Sequence, residues 1–184
     1  MKVGIIGSGE VGQTLASAFL KEGNDVMLGT RNTSKDEVIK WKNENTSGNV
    51  GTFEDTAKFG ELIVLATPGD AIESVITKAG LLNFSNKIVI DVTNPIAKQP
   101  PVNGVLKFFT SLDESLMERI QKIIPDARLV KAFNSVGSDL MYKPNFPGGK
   151  PTMFICGNDD EAKKTVTGIL TSFEIGRAWC RERV

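Results

Sequence analysis

The hexapeptide Gly7-Ser8-Gly9-Glu10-Val11-Gly12 constrains this chain more than any other stretch, because of what stands on either side of it. A short apolar, β-branched run, residues 2–6, leads into it, and residues 11–21 place Val11, Leu15, Ala18 and Phe19 at helical spacing directly after it. Gly23 and Asn24 stop that helix and residues 25–28 return as a strand, so a strand–helix–strand unit closes within about thirty residues. Glycine clusters also serve as plain turns, but this frame makes GxGxxG the mark of a dinucleotide site. Gly7 lets the chain turn, Gly9 lets the backbone approach a pyrophosphate, Gly12 lets the helix lie close to the strand, and the helix N-terminus offers amide donors. Ser8, Glu10 and Val11 complete the turn, and the Glu10 carboxylate is expected to point to solvent.

The residue that distinguishes NAD from NADP stands about 20 positions beyond such a turn, where a carboxylate would bind the ribose 2′-hydroxyl. Here that place reads Gly29-Thr30-Arg31-Asn32, with Lys35 close behind. A carboxylate would repel a 2′-phosphate, whereas Thr30 can donate a hydroxyl, Arg31 can stack on adenine and pair with the phosphate, and Lys35 adds a second cation. The bland reading, solvated charges on a loop, is weakened by their position. The expected cofactor is NADP(H).

Alternation of strands and helices continues. Thr33 or Ser34 can cap a polar helix running to about residue 45, residues 48–51 read as loop, and Thr52 with Asp55 offers a helix start. The run 61–66 is near-continuously apolar, as in a parallel strand buried on both faces, and 87–92 reads as another buried strand. A helix to residue 78 lies between them; 96–112 is irregular, 113–124 an amphipathic helix, 128–133 and 151–156 strands, and 159–171 a helix capped by Asn158 or Asp159. The expected architecture is one α/β domain, a Rossmann doubly wound and mostly parallel sheet, spanning residues 1–173.

Ligands of such sheets lie beyond the carboxyl ends of the strands. Those ends carry Ala66-Thr67-Pro68, Thr93-Asn94-Pro95 and Asn134-Ser135. Thr67 and Asn94 are candidates for the nicotinamide ribose or carboxamide, Pro68 and Pro95 would stiffen the loops beneath the ring, and Asn134 and Ser135 would face a second ligand. Any one of these ends alone would be ordinary turn chemistry. Asp91 reads as a structural carboxylate and Lys131 as the one cation near the third end.

Composition narrows the chemistry. The chain has 22 basic and 22 acidic residues, so no strong field recruits nucleic acid or a membrane surface. With no histidine, imidazole acid–base catalysis and histidine metal sites are excluded, and the two cysteines lack zinc-ligand or disulfide spacing; no metal is expected. No apolar stretch approaches about 18 residues, and a cytoplasmic location fits best. No catalytic residue stands out.

At this point the chain resembles the coenzyme F420-dependent NADP oxidoreductases, a family that includes the cytosolic NADPH-binding domains of membrane metalloreductases. The resemblance covers residues 2–173 and rests on VGIIGSGEVGQTLASAFLKEGNDVMLGTRN, the ATP turn at 66–68, DVTNP at 91–95, KAFNSVG at 131–137 and MFICGNDDEAKK at 153–164. It implies a domain that binds NADPH and exchanges hydride with a small-molecule flavin or deazaflavin: FMN, FAD or F420. By position it implies that Ser8, Glu10 and Val11 line the phosphate turn, Thr30, Arg31 and Lys35 hold the 2′-phosphate, Ala66, Thr67 and Asn94 hold the nicotinamide end, and Asn134 and Ser135 touch the acceptor. The F420 enzymes tend to carry His where this chain has Asn134, and Phe-Asn is closer to the metalloreductase pattern.

The tail 174–184, EIGRAWCRERV, reads as neither strand nor amphipathic helix and looks like the in-frame translation of a sequencing adapter. The chain is therefore expected to be a C-terminally truncated fragment whose full-length form is a homodimer, and the arginines of the tail are not expected to form a binding patch. Two further readings stay open: a non-catalytic NADP-binding sensor or partner domain, and the N-terminal domain of an imine or β-hydroxyacid reductase.

Overall fold

The computed structural model describes residues 1–179, with side chains through Gly176. Apolar runs become six strands: β1 (Lys2–Ile6), β2 (Asp25–Gly29), β3 (Asn49–Gly51), β4 (Leu62–Leu65), β5 (Ile88–Asp91) and β6 (Arg128–Lys131). They form one sheet in the order β3-β2-β1-β4-β5-β6, and every adjacent pair is parallel. This is the doubly wound Rossmann arrangement, with the order reversing between β1 and β4.

Helices α1 (Glu10–Lys21), α2 (Asp36–Glu44), α3 (Phe53–Phe59), α4 (Ile72–Ala79), α5 (Leu116–Ile123) and α6 (Asp160–Ser172) cover both faces. Strand alternation splits the core. Val3 and Ile5 join Leu15 and Phe19 of α1 and Val166 and Leu170 of α6 on one face. Ile63 and Leu65 join Ala57 of α3, Ile76 of α4 and Ile120 of α5 on the other. All four residues of β4 are buried, as its unbroken apolar run requires. Each such Leu, Ile or Val contributes about 2 kcal/mol by leaving water. These layers hold the carboxyl ends of β1, β4, β5 and β6 side by side at one edge of the molecule.

Several boundaries differ from the sequence reading. Residues 49–51, expected as loop, are β3, because their backbone completes the parallel ladder against Met27, Leu28 and Gly29. The cap of α2 is Lys35, in extended conformation and with no side-chain bond, rather than Thr33 or Ser34; Asn32 uses its own side chain to bond the Ser34 amide instead. The amphipathic helix α5 starts later than residue 113, at the capping box formed by Ser115 and Glu118. Thr52 with Asp55, and Asp159, cap α3 and α6 as expected.

The tail also departs from expectation. β8 (Gly176–Trp179) pairs in parallel with β7 (Thr152–Ile155) as a separate two-stranded sheet, anchored by Ile175, which is 3% exposed and donates its amide to the Leu170 carbonyl. Residues 180–184, which include Cys180 and two of the tail arginines, lie outside the described residues.

Candidate functional site

The glycine turn has the geometry its spacing predicts. Gly7 adopts φ 127°, and a Cβ there would lie 2.3 Å from the Ala66 carbonyl oxygen. A Cβ on Gly12 would lie 1.8 Å from the Gly7 carbonyl oxygen, so α1 reaches its seat against the turn only with glycine at that position. Gly9 differs: nothing lies within 4 Å of where its Cβ would be, leaving one side of the backbone open. Gly9 is also the N-cap of α1 and supplies no side-chain cap, so the first amides of the helix are left for another acceptor.

Side chains then tie the turn to the end of β2. The Ser8 hydroxyl donates to Thr30 Oγ1 at 3.0 Å, and Gln13 Nε2 donates to the Ser8 carbonyl at 2.8 Å. Thr30 is 3% exposed, and its hydroxyl also donates to the Asn32 carbonyl and accepts from the Asn32 amide, both at 3.3 Å. It is the knot between the two loops. Glu10 is exposed as expected, yet its carboxylate accepts from the Ser138 hydroxyl at 2.6 Å, which draws it toward the 137–141 segment.

A cleft of about 410 Å³ opens from this knot, bounded by Ser8, Arg31, Lys35 and Phe53. Arg31 is exposed and, among the described residues, has no hydrogen bond or ion pair. Lys35 Nζ lies 3.2 Å from Glu37 Oε1, so much of its charge is already answered. The far wall is a stripe of α4 and the turn before it, Ala71, Ser74, Val75 and Lys78, which sequence reasoning missed. Their i, i+3, i+4, i+7 spacing marks one helix face, but only the packing of Ile72, Ile76 and Ala79 shows which face turns to the cleft.

A second cavity, of about 490 Å³, continues over the ends of β4 and β5, where Val11, Thr93 and Asn94 line it. It shares Gly9, Ala66, Thr67, Pro68 and Asp70 with the first, so the two form one trough running from Arg31 to Asn94 across the open side of Gly9. Thr67 Oγ1 is buried and has no partner. Such an orphan is rare in a folded protein and marks a place that a ligand polar group would complete. The orphan hydroxyl, the open side of Gly9, the uncapped amides and the unpaired Arg31 together fit a phosphorylated dinucleotide.

Past Asn94 lies a third cavity, about 490 Å³, with Pro95, Leu112, Met117, Asn134 and Cys156 on its walls. Asn94 Nδ2 donates to the Asn134 carbonyl at 2.8 Å, which joins the ends of β5 and β6. Phe133, fully buried, holds φ 63°, a left-handed conformation that turns the chain sharply into Asn134. Ser135 is exposed, with its hydroxyl 3.7 Å from Met153 Sδ. Asp91 is fully buried and satisfied: Oδ1 accepts from the Thr93 amide at 2.9 Å and hydroxyl at 2.7 Å, and Oδ2 pairs with Lys131 Nζ at 2.9 Å. Lys131 also donates to the Thr93 carbonyl, so its charge serves the scaffold. Among the described residues no group of three His, Cys, Asp or Glu side chains is placed to hold a metal, and no helix is long and apolar enough to cross a membrane.

Fold and trough define a dinucleotide-binding α/β domain. The family described as NADP oxidoreductase, coenzyme F420-dependent, matches residues 2–95. Among individual proteins, the F420-dependent NADP reductase of Methanocaldococcus jannaschii is 27% identical over 187 residues, covering 97% of this chain and 82% of the relative. Metalloreductase STEAP3 of Rattus norvegicus is 28% identical over 166 residues, 90% of this chain but 31% of that protein. A crystal structure from Arthrobacter sp. FB24, designated an F420 dependent NADP-reductase, superposes with a TM-score of 0.88 at 30% identity, over 97% of this chain and 85% of that one. An imine reductase of Streptomyces aurantiacus shares the fold at TM-score 0.68 and 15% identity, over 98% of this chain and 55% of that one. The chain belongs to the coenzyme F420-dependent NADP oxidoreductase family, an NADP-dependent oxidoreductase family.

Proposed function

We propose that the chain binds NADPH along the trough and transfers its hydride to a flavin or deazaflavin seated beside Asn134 and Ser135. The observation that carries this reading is the unbroken trough itself, cationic at Arg31, open over Gly9 and ending at the unpartnered Thr67 hydroxyl and Asn94. In this reading the α1 amides and the backbone of residues 7–12 hold the diphosphate, Arg31 pairs with the 2′-phosphate, and Thr67 and Asn94 orient the nicotinamide ribose and carboxamide. Ala66, Pro68 and Pro95 supply the rigid floor under the ring. NADPH, when bound, supplies the hydride.

The residues fit a reaction governed by alignment. Hydride transfer needs the two reacting atoms within about 3 to 3.5 Å, and positioning supplies most of the rate. The chain has no histidine, and Lys131, at the end of β6, is paired with Asp91 at 2.9 Å. The third cavity lies beside Asn94, and its lining mixes Leu112 and Met117 with Thr110, Ser111, Asp113 and Glu118, so it offers an acceptor both apolar and polar contacts.

The test is to mix the purified protein with NADPH and then FMN, FAD or F420 in turn, following oxidation of the nucleotide. Turnover with one acceptor identifies it. Tight NADPH binding with no turnover on any of them would instead support a non-catalytic sensor.

A further inference from the structure

We propose that residues 95–109 form a flap that closes over the acceptor once both ligands are seated. The proposal rests on the flavin or deazaflavin reading above. Asn103 and Gly104 hold φ 52° and 77°, and Val102 and Val105 exchange both backbone bonds around them, at 3.1 and 3.0 Å. Two consecutive left-handed residues reading Asn-Gly make a tight hairpin turn. Below it the Ala97 amide donates to the Lys107 carbonyl at 2.8 Å, and at the base the Phe109 amide donates to the Pro95 carbonyl at 2.9 Å. Phe109 packs against the core that α3, α4 and α5 cover, with the Arg119 guanidinium 6.0 Å from its ring centre, so the base is fixed.

Above that base, little holds the hairpin down. Among the described residues, the polar atoms of 96–108 make one link to the rest of the chain, Lys98 Nζ to Asp70 at 3.1 Å, and the Lys98 side chain is 85% exposed. An ion pair so open to water restrains little. Pro100 and Pro101 stiffen the first leg, so the hairpin can swing as one piece. Its root lies between the two ring sites: Ile96 and Lys98 line the second cavity, at the nicotinamide end of the trough, while Pro95 and residues 110–113 line the third. Ile96, Val102, Val105, Leu106 and Phe108, with Leu112 just past the base, are six of the twelve large apolar side chains exposed among the described residues. So much apolar surface on one short segment marks a face that becomes covered in the working protein. A flavin or deazaflavin seated in the third cavity presents a flat ring with one face toward solvent; the flap covers that face and keeps water from the hydride path.

The experiment follows trypsin cleavage after Lys98 and Lys107, both exposed, by mass spectrometry. The full chain is cut alone, with NADP⁺, and with NADP⁺ plus oxidised FMN, FAD or F420, pairs that cannot exchange hydride. Cleavage at both sites is expected to slow at least about tenfold with both ligands and by no more than about twofold with NADP⁺ alone. In parallel, the double variant Leu106→Ser, Phe108→Ser, at two exposed positions, is expected to raise the acceptor KM roughly tenfold while NADPH affinity stays within about twofold. An acceptor that NADPH reduces but that leaves cleavage unchanged overturns the flap alone, as does a double variant with the wild-type acceptor KM. Reduction of none of the three acceptors overturns the acceptor reading and the flap with it. Sedimentation of both proteins adds a last outcome: a wild-type dimer that the double variant dissociates, with acceptor KM unchanged, assigns the hairpin to a second copy and overturns the flap.

Discussion

Thr67 shows how a single atom can carry functional information. Among the described residues, two buried side-chain atoms lack a partner, Thr67 Oγ1 and Arg128 Nε, and the first belongs to a residue that lines the trough. An unsatisfied buried hydroxyl costs about 1–3 kcal/mol, so replacing it by an isosteric methyl relieves the free protein. Thr67→Val is expected to melt at the same temperature or higher and to bind NADPH roughly fivefold more weakly; a lower melting temperature with unchanged affinity would mean the hydroxyl serves the fold. Arg31→Asp should weaken NADPH far more than NADH, by roughly a hundredfold against about twofold, because it sets a carboxylate against the 2′-phosphate; titration with both nucleotides decides it, and equal losses would count against the assignment. Arg31 was legible in the sequence because its distance along the chain from the glycine turn sets its place. The cleft-wall residues Ala71, Ser74, Val75 and Lys78 were not, since their place depends on how α4 is rotated against the sheet.

At the scale of elements, α1 depends on two glycines in opposite ways. Gly12 is a packing requirement: a Cβ would strike the Gly7 carbonyl at 1.8 Å, and either the helix or the turn must shift. Gly9 is not a packing requirement, because its added Cβ would meet nothing in the protein, and in the proposed reading glycine there serves the ligand. Gly12→Ala is expected to lose at least about 2 kcal/mol in chemical denaturation. Gly9→Ala should stay within about 1 kcal/mol of wild type yet lose at least about tenfold in NADPH affinity. Equal destabilisation of the two variants, or full affinity in Gly9→Ala, would show that the turn is not a phosphate seat. The elements read correctly from sequence are those whose signals are local: apolar runs buried on both faces, the capping box at Thr52 and Asp55, the cap at Asp159. Those missed are fixed from outside. β3 exists through its ladder with β2, and β8 through its ladder with β7, and neither short segment announces a strand by itself.

The whole molecule is built without a histidine, and that sets its response to pH. No imidazole changes charge between about pH 5 and 8, so stability should be flat across that range. The acid side is different. The Lys143 ammonium, and after it the Tyr142 hydroxyl, hold the Glu22 carboxyl below its usual 4.5, fastening the 137–143 segment to the end of α1. Bonds from Thr52 lower Asp55, bonds from Lys122 and Arg119 lower Glu114, the Ser115 backbone lowers Glu118, and Lys163 lowers Asp160. Each group binds its proton less readily folded than unfolded. Their joint contribution is therefore complete above the ordinary carboxylate range and is lost as pH falls through the lowered values. Lys58, Lys143 and Lys164, raised above 10.5 by their carboxylate partners, act in the opposite sense and lose their contribution as pH rises through the raised values. Urea unfolding measured across pH should show a plateau at neutrality with a falling midpoint below about pH 4.5, and Glu22→Gln should make that acid fall shallower. A midpoint that moves between pH 6 and 8 would contradict this account.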